Sequence, residues 1–206
     1  MRTLIGVDAP LTVRERRLLR LRHTFSGASL TPSDLGPNLR DTGVLATVGG
    51  GVLSKTSASA CLIVAALAAP NLVVQWKTNF GNSAGADRRA QIRVRHTAGV
   101  SRYNFVLYRS SNLVKIQRFD SGTTTTDLAS VAYAMADSTN YWCRCIANGP
   151  RLELLVSTNG TTFTSLAAVT DTTYAAGSGE DFEIDLIDNV ASPTIQVDDL
   201  LVWRAP

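Results

Sequence analysis

Cysteine, histidine and long apolar runs are scarce in this 206-residue chain. Three cysteines and two histidines are too few to suggest a disulfide framework or a cluster of metal-binding imidazoles. The longest apolar run, Ala60–Pro70, is shorter than the roughly 20 residues of a membrane-spanning helix, and no apolar segment of a signal peptide follows Arg2. We therefore expect a protein that is made in a reducing cytoplasm and is not inserted into membranes, with Cys143 and Cys145 as buried thiols.

Charge is unevenly distributed along the chain. Residues 1–22 contain six basic and two acidic side chains, whereas the remainder contains 14 basic and 15 acidic ones. The formal net charge of +3 therefore comes from the first segment, and the remainder is nearly neutral. A nearly neutral body offers no extended basic surface, which argues against nucleic acid as the main partner.

The basic segment, residues 1–22, is predicted to be an arm that docks onto another protein. Thr12 and Glu15 have the spacing of a capping box, which favours a short helix that continues to Arg22. The leucines among the arginines are too few for a membrane anchor. Nucleic-acid contact and a solvated first helix stay open as alternatives, and so does an extended rather than helical conformation of the docked arm. The residues predicted to make the docking contact are Arg14, Arg16, Arg17, Leu18, Leu19, Arg20, Leu21 and Arg22.

The remainder, residues 23–206, has the pattern of an all-β domain. An irregular stretch over residues 23–43 is rich in Gly, Pro, Ser and Asp. Short β-prone runs then follow one another, with turn signals at Ser110–Asn112 and Asn159–Gly160. This spacing predicts an antiparallel sandwich or barrel with no helix after residue 25.

Several of these runs occur in a characteristic order. HTF, GVLATVGGGVLS, NLVVQWKTNF, AQIRVRHT and YNFVLYR come first, then NYWCRCIANGPRLELLVSTNGTTFTSL, and finally IQVDDLLVWRA. Together they resemble the concanavalin A-like, laminin-G-like jelly roll over residues 23–206, with Val156–Phe163 matching a turn of that family. Leu200 stands where the family has an aromatic residue, and His23 where many members have Asp. The resemblance implies an all-β, antiparallel jelly-roll β-sandwich, here with a short N-terminal arm.

A cysteine-poor jelly roll with a basic arm and no signal peptide is also similar to virion proteins of tailed bacteriophages. That resemblance implies a non-enzymatic structural protein, either a head decoration or a tail or fibre component, that docks onto the particle through its arm. Other virion proteins would be its partners, and homo-oligomerisation would strengthen the docking through multivalency. The alternative function is a lectin-like module, or adhesin, that binds cell-surface polysaccharide. The fold alone does not decide between a virion structural protein and a lectin-like module.

Two sets of residues are candidates for ligand contacts. Tyr103, Tyr108 and Trp142 supply the aromatic surfaces on which a glycan can stack. Asp198 and Asp199 match the family's terminal strand and are expected to point to opposite faces of it. They are the candidate calcium ligands, although a solvated charge and a satisfied buried acid explain them without a metal, so no cofactor is predicted.

The segment EIDLID, Glu183 to Asp188, is the candidate for a catalytic motif in this sequence. Glucanases with the same jelly roll carry E-x-D-x-x-E on one strand, and Glu183 and Asp185 have the matching alternation. Asp188 would replace the acid Glu, and the segment lies near the end of the chain rather than in its middle. The three tryptophans are also too dispersed for a sugar-binding cleft. We therefore predict no catalytic residues and no enzyme.

Arginines alternate with apolar residues on two neighbouring β-prone runs. If they share one sheet face, they form a basic stripe that is either simply solvated or binds an acidic glycan or a neighbouring subunit. The residues of this stripe are Arg93, Arg95, Arg102 and Arg109.

Overall fold

The computed structural model of the chain describes residues 19–23, 40–41, 46–49, 52–55, 61–66, 71–82, 87–97, 101–121, 123–174, 181–188 and 194–205. These residues form β-strands joined by turns, with one turn of 3-10 helix at Arg109–Ser111. The strands are β1 (Leu19–His23), β2 (Arg40–Asp41), β3 (Ala46–Gly49), β4 (Val52–Lys55), β5 (Cys61–Ala66), β6 (Leu72–Asn79), β7 (Arg88–Thr97), β8 (Ser101–Tyr108), β9 (Leu113–Asp120), β10 (Thr124–Ala132), β11 (Asn140–Asn148), β12 (Arg151–Ser157), β13 (Thr164–Thr170), β14 (Asp181–Asp188) and β15 (Gln196–Arg204).

The strands pair into two antiparallel sheets that enclose one hydrophobic core. The eight-stranded sheet has the order β13-β12-β11-β6-β15-β4-β3, with β1 also paired to β15. The seven-stranded sheet has the order β10-β9-β8-β7-β14-β5-β2. This confirms the predicted all-β sandwich. Of the helices among the described residues, none is long and apolar enough for a membrane span.

Strand β11 illustrates how alternation builds the core. Tyr141, Cys143 and Cys145 are buried and point between the sheets, while Trp142 and Arg144 lie on the outer face of the eight-stranded sheet. Both cysteines are free thiols, and burial raises their pKa, so they stay protonated and act as small apolar side chains. The prediction that these two cysteines are buried is confirmed.

Both predicted turns connect neighbouring strands. Asn112 has a φ of 53° and follows the 3-10 turn between β8 and β9. Gly160 has a φ of 74° in the connection between β12 and β13. An ideal Cβ on Gly160 would lie 3.0 Å from Cε2 of Trp142, so the indole ring packs directly against this glycine. The position therefore requires glycine for both its backbone conformation and its contact.

Strand β1 lies within the segment predicted to be a docking arm. Its residues pair antiparallel with the second half of β15, with Leu19 opposite Trp203 and His23 opposite Leu200. The helix predicted to continue to Arg22 is therefore wrong over residues 19–22, and the predicted boundary between residues 22 and 23 falls inside a strand. Pairing with β15 gives the backbone of this segment hydrogen-bond partners in another strand, whereas a short helix that packs against nothing is only marginally stable in water. Arg14, Arg16, Arg17 and Leu18 lie outside the described residues.

Candidate functional site

A row of polar side chains crosses the outer face of the seven-stranded sheet. Each member is opposite the next across a strand pair, so the row runs over five neighbouring strands from β14 to β10. The first row consists of Glu183, Arg93, Asn104, Gln117 and Asp127. Because opposite side chains in a sheet lie about 5 Å apart, the row presents a continuous line of hydrogen-bonding groups.

A second row lies beside the first on the same face. Its members are likewise opposite one another on β14, β7, β8, β9 and β10. The second row consists of Asp185, Gln91, Val106, Lys115 and Ser130. We call the two rows together the polar face. Alternation places the core residues Ile92, Phe105 and Ile116 on the opposite side of the same strands.

The β14 end of the polar face is held by one arginine between two carboxylates. Nη1 of Arg93 donates to Oε2 of Glu183 at 3.1 Å, and Nη2 donates to Oδ2 of Asp185 at 2.5 Å. Nε2 of Gln91 donates to the same Asp185 oxygen. Both carboxylates are buried, so the guanidinium between them offsets the cost of removing them from water.

The β10 end is more open. Nζ of Lys115 donates to Oδ2 of Asp127 at 2.8 Å, and Nε2 of Gln117 donates to Oδ1 at 2.7 Å. In the first row the side chain is 4% exposed at Glu183, 16% at Arg93 and 43% at Asp127, and Asn104 between the last two is buried. The pKa of Asp127 is lowered: burial acts to raise it, but the hydrogen bonds from Lys115 and Gln117 outweigh that effect. The polar face is therefore buried at one end and accessible at the other.

An aromatic ring borders the polar face beside Asn104. The guanidinium carbon of Arg102 lies 3.8 Å from the centre of the Phe119 ring, and Nε of Arg102 donates to Oδ1 of Asn104 at 3.2 Å. Burial and the neighbouring charge of Arg93 lower the pKa of Arg102 to about 10, so it remains a cation at neutral pH. Phe119 is only partly buried. A polar surface bordered by a ring is a combination suited to sugars, which present both hydroxyls and apolar C–H faces.

Three polar atoms at the buried end have no hydrogen-bond partner within the described part of the chain. They are Oδ1 of Asp185, Oε1 of Gln91 and Nε of Arg93. The other polar atoms of these side chains are engaged with one another or with Glu183. Buried polar atoms in folded proteins are nearly always satisfied, by protein, water or ligand. The cluster thus offers two acceptors and one donor to a bound molecule.

Tyr103, the first predicted glycan contact, is a core residue, and its prediction as a contact is wrong. Its side chain is 0% exposed, because alternation on β8 places it with Phe105 between the sheets. Its hydroxyl donates to Oδ1 of Asp171 at 2.7 Å and accepts the backbone N–H of Tyr174 at 2.9 Å. Burial and the hydrogen bond to Asp171 raise its pKa, which keeps the hydroxyl a donor.

Tyr108 and Trp142, the other two predicted contacts, lie on different sheets. Tyr108 ends β8, and the Arg89 guanidinium carbon is 5.3 Å from its ring centre. Trp142 packs against Gly160 on the eight-stranded sheet, with Nζ of Lys77 5.9 Å from its ring centre. The three aromatic residues therefore do not form one binding surface.

Asp198 and Asp199 both reach the same lysine. Nζ of Lys77 lies 2.8 Å from Oδ2 of Asp198 and 3.5 Å from Oδ2 of Asp199. The expectation that the two carboxylates point to opposite faces is wrong, because the register shifts between Asp198 and Leu201 and Asp199 has a φ of 48°. An ammonium group thus occupies the place that a cation would take. The searched, described residues contain no group of three or more His, Cys, Asp or Glu suited to a metal ion.

The three carboxylates of the glucanase-like segment do not lie on one face of β14. Glu183 and Asp185 belong to the polar face, whereas Asp188 follows the alternation of Ile184 and Leu186 and lies on the other side of β14. The β14–β7 register shows no shift between Asp185 and Asp188 that would turn Asp188 around. Oδ2 of Asp188 accepts the backbone N–H of Thr194 at 3.1 Å. The arrangement does not reproduce the three-carboxylate site.

The four arginines of the predicted basic stripe lie in three different parts of the structure. Arg93 and Arg102 lie on and beside the polar face, but Arg95 is buried at a bulge in β7, where it donates to the carbonyl oxygens of Tyr174 and Gly149 at 2.8 Å. Arg109 instead donates to Asp137 at 3.0 Å. A single-faced stripe is therefore wrong, since the bulge breaks the alternation on which it depends.

Seven members of the polar face were not predicted from the sequence. They are Gln91, Asn104, Val106, Lys115, Gln117, Asp127 and Ser130. Each alternates with core residues, which marks an outward-facing position on its strand. Their alignment into rows depends on the pairing register of five strands, which no single segment encodes.

Comparison with known proteins finds likeness in structure only. No family model and no curated protein matches the sequence. Among solved structures, the carbohydrate-binding module CBM66 from Bacillus subtilis matches with a TM-score of 0.59 and 13% identity, covering 73% of this chain and 86% of that one. The Ca²⁺-bound exoplasmic/lumenal domain of VIP36 matches with a TM-score of 0.70 and 10% identity, covering 92% and 93%.

A third solved structure comes from a bacteriophage. The CBM2 module of the evolved Dit of Lactobacillus casei BL23 phage J-1 matches with a TM-score of 0.61 and 11% identity, covering 90% of this chain and 94% of that one. Identities this low establish the architecture and leave function to the site. Two antiparallel sheets in this order, together with the likeness to these structures, show that the chain has a concanavalin A-like jelly-roll fold.

Proposed function

We propose that this chain is a non-enzymatic, lectin-like module that binds carbohydrate through the polar face of its seven-stranded sheet. The observation that supports the proposal is the first row, in which carboxylate, guanidinium and amide groups lie side by side across five strands. Such groups donate to and accept from sugar hydroxyls, and Phe119 adds an apolar ring at the border of the face. Structural similarity to a module described as carbohydrate-binding agrees with this ligand class.

Two phenylalanines allow a matched test of the binding face. Phe119 lies under Arg102 at 3.8 Å on the seven-stranded sheet, and Phe163 lies under Arg144 at 4.3 Å beside the eight-stranded sheet. Both rings are partly buried. Phe119→Ala should abolish most binding of the full chain on a glycan array, whereas Phe163→Ala should leave it unchanged. Loss of binding in Phe163→Ala alone would place the site on the opposite sheet, and a wild-type chain that binds no glycan would overturn the proposal.

We propose further that the module is a structural component of a tailed-phage virion, either a head decoration or a tail or fibre part. Similarity to the phage J-1 Dit module supports this assignment, as does the basic character of residues 1–22. In this proposal the arm docks onto other virion proteins and the module assembles as a homo-oligomer, with a cell-surface glycan as the ligand of the outward-facing module. Calcium has no assigned part in it.

The position of β1 determines which deletion can test the docking role of the arm. Deleting residues 1–22 would remove most of β1, so a loss of assembly could reflect a damaged sheet. Deleting residues 1–18 retains β1, and the shortened protein should fold and bind glycan but no longer co-purify with particles. Mass spectrometry of purified particles supplies the readout. Unchanged incorporation would reject the docking role, and RNA or DNA retained only by the full-length chain would favour nucleic-acid contact instead.

A further inference from the structure

The buried end of the polar face has an unusual deficit of hydrogen bonds. Asp185 uses only Oδ2, which accepts from both Gln91 and Arg93, while its Oδ1 has no partner within the described residues. Oε1 of Gln91 and Nε of Arg93 are in the same situation. Three neighbouring side chains thus each keep one unused polar atom, and all three atoms are removed from bulk solvent.

The unused atoms specify the chemistry of what completes them. A molecule that satisfies Oδ1 of Asp185 and Oε1 of Gln91 must donate two hydrogen bonds, and one that satisfies Nε of Arg93 must accept one. A pair of adjacent hydroxyl groups does both, because each oxygen donates once and accepts from another group. Carboxylate and phosphate groups fail, since their oxygens at neutral pH can only accept.

The charges of the face also select an uncharged ligand. The face and its border together contain equal numbers of cations and anions: Arg93, Lys115 and the bordering Arg102 against Glu183, Asp185 and Asp127. Arg93 and Lys115 are already paired with carboxylates at hydrogen-bonding distance. Among the described residues of the buried end, the cation Arg93 is already paired, and the charge of an acidic sugar would lie near the unused carboxylate oxygen of Asp185.

We propose that Asp185, Gln91 and Arg93 form a subsite for two adjacent hydroxyl groups of a neutral sugar residue. This inference rests on the proposed carbohydrate-binding function and adds the residues and the ligand class. Acidic polysaccharides are excluded by the same atoms.

Glu153 provides a control for Asp185 on the opposite sheet. Both residues are buried and both accept a hydrogen bond from an arginine, but Glu153 lies on β12 and accepts from Arg151, away from the polar face. In Asp185→Asn, the amide oxygen keeps the contact with Arg93 and Gln91, and an N–H₂ group replaces the unused acceptor. Glu153→Gln removes the same amount of charge outside the polar face.

The test uses the full chain, neutral and acidic glycan arrays, and titration calorimetry against the best neutral glycan. Asp185→Asn should weaken binding about tenfold or more, as expected for a lost hydrogen bond to a charged group, whereas Glu153→Gln should leave binding unchanged. Gln91→Leu removes the second acceptor without changing charge and should weaken binding as well, so the inference stays testable if Asp185→Asn does not fold. Circular dichroism verifies the fold of each variant.

The outcomes separate this inference from the proposed function. Equal affinities of wild type, Asp185→Asn and Gln91→Leu would mean that ordered water alone fills the subsite, which overturns the inference and leaves carbohydrate binding intact. A preference for acidic over neutral glycans would also overturn it. A wild-type chain that binds no glycan of either class would reject both.

Discussion

The hydroxyl of Tyr103 donates to Oδ1 of Asp171 at 2.7 Å, which joins β8 to the segment that follows β13. The two strands belong to different sheets. Tyr103 is fully buried, so this bond links the two halves of the sandwich from inside the core. Nη1 of Arg118 donates to the other oxygen of Asp171 at 2.7 Å and completes the link.

Replacing Tyr103 should affect stability rather than ligand binding. Tyr103→Phe retains the ring but leaves Asp171 without its buried donor, at a cost of about 1–2 kcal/mol in the free energy of unfolding. Tyr103→Ala also opens a cavity and should cost about 3–5 kcal/mol. Urea unfolding measures both effects. A Tyr103→Phe protein with normal stability and no glycan binding would restore Tyr103 as a contact.

Acid should destabilise the fold through the same cluster. The pKa of Asp171 is lowered: burial acts to raise it, but hydrogen bonds from Tyr103, Thr173 and Arg118 outweigh burial. The hydrogen bond from Tyr174 is the largest influence on Asp120 and lowers its pKa as well. A carboxyl group with a depressed folded-state pKa stabilises the fold above its unfolded pKa, near 4, and this contribution is lost as pH falls through the folded value.

The free energy of unfolding should therefore fall as pH drops from about 5 toward 2. Asp171→Asn should be less stable than wild type at pH 7, and the difference between the two should shrink toward pH 2. Urea titrations over this pH range measure the difference. A constant difference would mean that the Asp171 charge does not contribute.

Calcium chelation should leave stability and glycan binding unchanged. The Lys77 ammonium lies 2.8 Å from Asp198 and 3.5 Å from Asp199, so a cationic group already lies between the two carboxylates. The pKa of Lys77 is raised: burial alone would lower it, but contact with the two aspartates more than offsets burial, and the lysine stays charged at neutral pH. Thermal unfolding with EDTA and with excess CaCl₂ tests this. A higher Tm in calcium would require a metal site elsewhere.

Gly160 should not accept a side chain. Its φ of 74° costs other residues about 1–2 kcal/mol, and a Cβ would lie 3.0 Å from the Trp142 ring. Gly160→Ala should therefore lower the free energy of unfolding by at least that amount. Gly149→Ala is the control, because Gly149 also has a positive φ, 52°, but a Cβ there meets nothing within 4 Å. Equal losses in the two variants would show that the Trp142 contact is unimportant.

The sequence could predict which residues of a strand share a face, but not which face is accessible. On β8 the alternation separates Arg102 and Asn104 from Tyr103 and Phe105, yet both sets are buried, so residue type misplaced Tyr103 at the surface. The Lys77 contacts were likewise hidden, because they depend on a bulge and a positive φ at Asp199. Glu183 and Asp185 were recognised as a polar pair, but Arg93 joins them only through the β14–β7 register.

The positions of β14 and β15 constrain the route by which this chain can fold. These two strands come late in the sequence, yet each occupies an interior place in its sheet, β14 between β5 and β7 and β15 between β6 and the strands β1 and β4. The neighbouring strands are therefore synthesised before β14 and β15 can pair with them. Their unpaired edges can meanwhile associate with other chains. Folding during translation should stall as a half-formed sandwich until Arg204 has left the ribosome, and nonsense mutations that remove β15 should yield aggregates rather than a smaller domain.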